Sequence, residues 1–228
     1  MRRIIKGILH RTWKPYVRWY LKSPRSYRWG DIHIVVEPEV FHPGFFFSTA
    51  FLLRYLSRIP LHEKKVIEVG SGSGLISLFC AKQGAQVCAC DINPAAVANT
   101  KRNAESNKRN FPVYESNLFC EIPKANFDFI LVNPPYYKKK PASVAEHAWY
   151  CGENLEYFDS LFSQAMSYAH PKTEMLMVLS DECDIDGIKS IGSTHGWHCV
   201  LRMEKLIRWE KNYILSFVNA EHQGSTLS

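Results

Sequence analysis

The 228-residue chain has no uninterrupted apolar run of the roughly 18 residues that would mark a bilayer-spanning helix. Its first residues also lack the apolar core and small-residue cleavage site of a secretory signal peptide. The expectation is a soluble, cytoplasmic protein. The seven cysteines (Cys80, Cys88, Cys90, Cys120, Cys151, Cys183 and Cys199) are odd in number and include no CxxC pair. A disulfide framework and a zinc cage both lack their usual signature, so no metal is expected. Internal repeats and low-complexity segments are absent too.

Acidic residues are missing from residues 1–30, which hold nine Lys or Arg and no Asp or Glu. Removing those nine from the net charge of +6 leaves about −3 for residues 31–228. The basicity therefore belongs to an N-terminal segment, residues 1–36, and says little about the rest. Between Ile4 and Leu21, apolar Ile5, Ile8, Leu9, Trp13 and Val17 alternate with Arg2, Arg3, Lys6, Arg11, Lys14 and Arg18 nearby, a pattern read as an amphipathic helix limited by Pro15. Three readings stay open for it: packing on the protein's own surface, contact with an anionic membrane surface, or an arm on RNA. The polar tail, residues 223–228, reads as frayed.

Residues 37–222 read as one catalytic domain, since this length can bury a single sizeable core. Strand-like runs fall at 32–36, 66–69, 86–90, 112–115, 127–132, 174–179, 198–203 and 213–218, and helical stretches at 75–83, 94–107 and 157–169. An apolar helical stretch also runs to Leu56, with Ser48 or Thr49 as its expected N-cap. Strands alternating with helices from Lys64 onward indicate an α/β, doubly wound sheet, and the last two strands are close enough to form an antiparallel pair. A monomer is expected.

Val66-Ile67-Glu68-Val69-Gly70-Ser71-Gly72-Ser73-Gly74-Leu75 sets three alternating glycines between a buried strand and a helix start. Glycine there permits a tight turn and close approach of a ligand to the backbone. The spacing is GxGxG, because Leu75 stands where a dinucleotide fingerprint needs its last glycine. Asp91 ends the next strand, placed to accept hydrogen bonds from ribose hydroxyls. Glu68 has two roles open to it: ordering the loop or receiving an ammonium.

These residues resemble the first two motifs of the class I methyltransferases that use S-adenosylmethionine. The resemblance implies a seven-stranded Rossmann-like sheet in the order 3-2-1-4-5-7-6 with strand 7 antiparallel. It places the cofactor on Glu68, Gly70, Ser71, Gly72, Gly74, Asp91, Ile92, Asn117, Leu118 and Asn133. Ser116-Asn117-Leu118-Phe119 corresponds to the stretch near the adenine.

Asp128-Phe129-Ile130-Leu131-Val132-Asn133-Pro134-Pro135-Tyr136 runs an apolar strand straight into a rigid polar tip. Two prolines fix the backbone and remove two donors, so the tip is rich in acceptors. An amide or exocyclic amine is a poor nucleophile, and Asn133 Oδ1 with the Pro134 carbonyl can hold its N–H groups in line for transfer. Tyr136 would stack on the planar acceptor. In the family, NPPY marks enzymes that methylate planar nitrogens, including protein glutamine amides and the amino groups of bases. The resemblance is closest to the HemK-like and small-domain branch and covers about Val40 to Val218. It implies Asn133, Pro134, Pro135 and Tyr136 as catalytic residues, with a protein or nucleic-acid substrate. Phe41-His42-Pro43 with Ser48-Thr49 is similar to the upstream segment of that branch, with Ser48 where an Asp is usual. The bacterial release-factor enzymes carry a helical N-terminal domain where this chain has about 35 residues. Lys138-Lys139-Lys140 reads either as a solvated loop or as an attractor of phosphates or acidic protein.

Overall fold

The computed structural model describes residues 22–44, 47–207 and 210–219. The expected amphipathic helix before Lys22 and the polar tail lie outside the described residues. In chain order the elements are β1 (Arg25–Trp29), β2 (Ile32–Val36), α1 (Phe47–Leu56), β3 (Lys65–Val69), α2 (Leu75–Lys82), β4 (Gln86–Asp91), α3 (Pro94–Ser106), β5 (Val113–Glu115), β6 (Phe127–Val132), α4 (Glu156–Ala165), β7 (Ala169–Ser180), α5 (Ile185–Thr194), β8 (Trp197–Ile207) and β9 (Glu210–Asn219). Seven strands form one sheet in the order β5-β4-β3-β6-β7-β9-β8. Counted from β3 as the first, this is the order 3-2-1-4-5-7-6. β3 to β7 pair in parallel, and β9 is antiparallel to both β7 and β8.

The strands read as near-continuous apolar runs because helices cover both faces of a parallel sheet. Side chains alternate between two cores. Ile67, Val69, Ile130 and Val132 face one that includes Phe158, Leu161 and Phe162 of α4. Val66 and Leu131 face the other, against Leu52, Leu53 and Leu56 of α1 and Leu78 of α2. By the same parity Glu68 and Asn133 point to the α1 and α2 side. α3 starts as its sequence dictates: Asn93 caps Ala95 N at 3.0 Å, and Pro94 occupies the first turn.

Four differences from the sequence reading have physical causes. The strand read at 32–36 is β2, with Ile32, Ile34 and Val36 in the core, but its antiparallel partner β1 (Arg25–Trp29), within the basic N-terminal segment, is absent from that reading. Alternation of apolar and polar residues in 32–36 carried that signal, while the basic composition masked it in 25–29. Ser48 and Thr49 lie inside α1, in its first turn, and do not cap it. The helix read to Ala169 ends at Ala165 and passes through a 3-10 turn into β7, which starts at Ala169. The terminal hairpin is longer than its apolar cores suggested, because strand pairing continues through polar residues such as Glu204↔Tyr213 and Lys205↔Asn212.

The hairpin is fastened by α3. Asn107 Oδ1 accepts from His33 N at 3.2 Å, Asn103 Oδ1 from Val35 N at 2.9 Å, and Asn99 Oδ1 from Glu37 N at 3.1 Å. Four helical residues rise about 6.0 Å and two strand residues about 6.7 Å, so asparagines spaced by four match a strand edge spaced by two. The side-chain amides take the place of a neighbouring strand.

Candidate active site

Parallel strands bring every βα loop to one edge of the sheet, and a ligand crevice opens where the strand order reverses. Here the reversal falls between β3 and β6, where Val69 pairs with Val132. The next residues are Gly70 and Asn133, so the glycine loop and the NPPY tip begin side by side.

Gly70, Gly72 and Gly74 all have positive φ, at 79°, 52° and 76°. Their reasons differ. A Cβ on Gly70 would meet nothing within 4 Å, so that side of the loop is open to a ligand. A Cβ on Gly74 would approach Thr100 Cγ2 to 2.8 Å, so this glycine lets the loop pack on α3. Ser71 Oγ and Thr100 Oγ1 lie 3.1 Å apart, Thr100 Oγ1 donates to the Gly72 carbonyl at 3.0 Å, and Asn103 Nδ2 donates to the Ser73 carbonyl at 2.9 Å.

Asp91 Oδ2 accepts from Gly72 N at 2.8 Å and Oδ1 from Asn93 N at 2.9 Å. Burial raises its carboxyl pKa, and the amides of Asn93, Gly72 and Ile92 oppose that rise. Each oxygen keeps lone-pair capacity for further donors. Glu68 is 3% exposed, and its Oε2 accepts from Ser77 N at 2.8 Å and from Ser77 Oγ. Burial pushes its pKa up to about 8 against the pull of those bonds. Of its two readings, loop ordering is visible directly: Glu68 ties β3 to α2 beneath the glycines. Asn117 is exposed at the loop after β5, while Leu118, at φ 55°, is buried beside it.

Asn133 Nδ2 donates to Thr49 Oγ1 at 3.4 Å, which leaves Oδ1 to accept from elsewhere. Pro134 and Pro135 are buried. The Tyr136 hydroxyl donates to the Val178 carbonyl at 3.4 Å with the Ser48 side chain beside it, and burial raises its pKa. Its hydroxyl end is thus anchored while the side chain as a whole stays half-buried. The segment after NPPY folds back on it: Tyr137 N donates to Trp149 O and Cys151 N to Tyr137 O, both at 3.0 Å. The Trp149 ring lies 5.6 Å from that of Phe41, whose Cβ is 3.9 Å from where a Gly72 Cβ would sit. Sequence reasoning missed this aromatic link between the two loops, and no spacing rule would have found it.

The lysine rim is largely committed within the chain. Lys138 Nζ pairs with Asp184 Oδ2, and Lys139 Nζ stands 4.5 Å from the Tyr150 ring centre. His42 Nδ1 accepts from Gly44 N at 3.1 Å, and burial lowers its pKa, consistent with a structural imidazole. Among the described residues no group of three or more His, Cys, Asp or Glu is placed to hold a metal, and no helix is long and apolar enough to cross a membrane.

The model of the methyltransferase small domain matches residues 31–188. The chain belongs to the methyltransferase small-domain family. Relatives of this small-domain chain include a putative protein N5-glutamine methyltransferase of Methanocaldococcus jannaschii, 43% identical over 46% of this chain and 51% of that protein. Human methyltransferase HEMK2 is 30% identical over 68% of this chain and 77% of its own length. The chain thus spans about half the length of the archaeal relative and about three quarters of the human one. Among solved structures, the Mtq2–Trm112 complex of E. cuniculi, described as responsible for methylating a translation termination factor, superposes with a TM-score of 0.62 at 18% identity, covering 79% of this chain and 99% of that one. The T. thermophilus 16S rRNA N2 G1207 methyltransferase, in complex with AdoMet and guanosine, gives 0.64 at 17% identity over 86% and 50%. Both structural likenesses speak for the fold.

Proposed function

We propose that this chain transfers a methyl group from S-adenosylmethionine to a planar amide nitrogen, that of a protein glutamine side chain. The observation that carries the reading is the state of Asn133: its Nδ2 is committed to Thr49, so its Oδ1 is the end offered to an acceptor N–H. The M. jannaschii relative, a putative protein N5-glutamine methyltransferase, supports the substrate class.

The residues fit the cofactor. The open side of Gly70 admits close approach to the loop, and the Asp91 carboxylate sits at the end of β4 with capacity for two hydroxyls. Ile92, Asn117 and Leu118 would line the adenine side. When bound, S-adenosylmethionine supplies a methyl group on an electrophilic sulfonium. The chain's own part is positioning. An amide lone pair is delocalised into its carbonyl, so the nitrogen attacks only when held in line. Asn133 Oδ1 and the Pro134 carbonyl accept its two N–H groups, and those bonds strengthen as positive charge develops on nitrogen. The prior commitment of Nδ2 and the proline-fixed backbone mean that little entropy remains to be lost.

A second reading, a base amino group on RNA or DNA (adenine N6 or guanine N2), is favoured by one observation: a ribosomal RNA small subunit methyltransferase C of Erwinia tasmaniensis is 32% identical over 49% of this chain and 33% of its own length. Incubating cell extract with tritiated S-adenosylmethionine and the chain separates the two. Label in protein is expected, and label confined to RNA or DNA would replace the first reading with the second.

A further inference from the structure

We propose that Thr49 is a positioning residue for methyl transfer, its hydroxyl holding the Asn133 amide in the rotamer that turns Oδ1 toward the acceptor nitrogen. This rests on the reading of Asn133 as the acceptor clamp. The two ends of an asparagine amide are nearly the same size, and a half-turn exchanges acceptor for donor. In the wrong rotamer an NH2 group would face the N–H groups of the substrate, and the clamp would repel what it must hold.

The prolines fix the backbone of the tip but exert no control over the side-chain amide of the residue before them. The side-chain bond from Asn133 Nδ2 to Thr49 Oγ1 does. Thr49 is suited to this by its place. It is 4% exposed in the first turn of α1, and Phe51, Leu52, Leu53 and Leu56 of that helix are 1% exposed or less, so the hydroxyl stands on an immobile platform. A β-branched side chain in a helix has few rotamers, so Oγ1 stands in one place to accept from Nδ2. Ser48, one residue earlier, lies beside the Tyr136 hydroxyl. The same turn thus faces both ends of NPPY. The 3.4 Å separation is long, as is common before a substrate draws a site together.

The full chain is compared as wild type, Thr49→Val and Thr49→Ser. Nitrogen-15 spectra of side-chain amides, with Asn133→Ala to identify the Asn133 pair, report the bond itself. The Asn133 protons are expected to exchange with water several-fold more slowly than those of exposed Asn117 in wild type and Thr49→Ser, and to lose that protection in Thr49→Val. Transfer of tritiated methyl to a glutamine-containing synthetic peptide is expected to fall about tenfold in kcat in Thr49→Val, with KM for S-adenosylmethionine within twofold, and to return in Thr49→Ser. Unchanged Asn133 signals and unchanged kcat in Thr49→Val would overturn the inference. Should the valine chain fail to fold, the wild-type spectrum decides: Asn133 protons exchanging as fast as those of Asn117 reject it. Failure of the functional reading is seen separately, as a wild-type chain that labels no peptide while its Asn133 protons stay protected.

Discussion

Removing the Asn103 side chain should cost this protein more than removing either neighbour in the asparagine row, for a reason that can be counted. Asn103 is 3% exposed. Its Oδ1 accepts from Val35 N, and its Nδ2 donates to the carbonyls of both Val35 and Ser73, each at 2.9 Å. In Asn103→Ala the Val35 carbonyl keeps its bond from Asn99 Nδ2 at 2.7 Å. The Val35 N–H and the Ser73 carbonyl lose theirs. An orphaned buried backbone group costs about 1–3 kcal/mol, and water reaches Val35 more readily than Ser73, so a loss of about 3 kcal/mol is expected. For a chain of this size that is a fall of roughly 6–12 °C in Tm. Asn107→Ala, whose bonds to His33 lie at the surface, should cost under about 1 kcal/mol. Urea denaturation followed by circular dichroism measures both. If the two variants lose equal stability, the hairpin is not held as described. Because Ser73 belongs to the glycine loop, Asn103→Ala should also weaken S-adenosylmethionine binding several-fold by calorimetry, and Asn107→Ala should not.

Three further outcomes are expected. Glu68 is held neutral near neutrality by burial, with its pKa raised to about 8, so folding takes up a proton between pH 4.5 and 8. That contribution is fully present below the unfolded pKa and is lost as pH rises through 8. Stability should therefore fall from pH 5 to 8.5 in wild type, and Glu68→Gln should flatten the slope in urea titrations; equal slopes would reject the assignment. Gly70→Ala, with open space around its Cβ, should lose only the roughly 1–2 kcal/mol of a left-handed residue, yet bind S-adenosylmethionine at least tenfold more weakly. Gly74→Ala adds the 2.8 Å approach to Thr100 and should be clearly less stable than Gly70→Ala in thermal melts.

The sheet order was legible because each buried strand is a short apolar run ended by a loop of recognisable chemistry. Gly70-Ser71-Gly72-Ser73-Gly74, Asp91 and Asn133 each follow such a run, and parallel pairing carries all three to one edge. What escaped was set by tertiary contact. The hairpin strand 25–29 is polar and basic, and it pairs with β2, whose outer edge is tied by Asn99, Asn103 and Asn107 about 70 residues downstream. Three asparagines spaced by four on one helix were a readable signal of a polar ladder, though not of its partner. Ser48 and Thr49 read as helix caps from local chemistry alone. Their contacts with Tyr136 and Asn133 depend on α1 packing across the sheet from a distant part of the chain. The partners of Lys138 and Lys139 are set the same way, since Asp184 and Tyr150 are contacts that adjacency cannot reveal.

The central claim is that Asn133, which the resemblance also sets beside the cofactor, acts chiefly by holding a planar nitrogen for methylation and supplies little of the cofactor's affinity. Methyl transfer from tritiated S-adenosylmethionine by Asn133→Ala, read beside calorimetric binding of the same cofactor, tests it most directly. The account predicts transfer reduced at least 100-fold, about 2.7 kcal/mol of transition-state stabilisation, with cofactor Kd within about threefold of wild type. Transfer at the wild-type rate would contradict it.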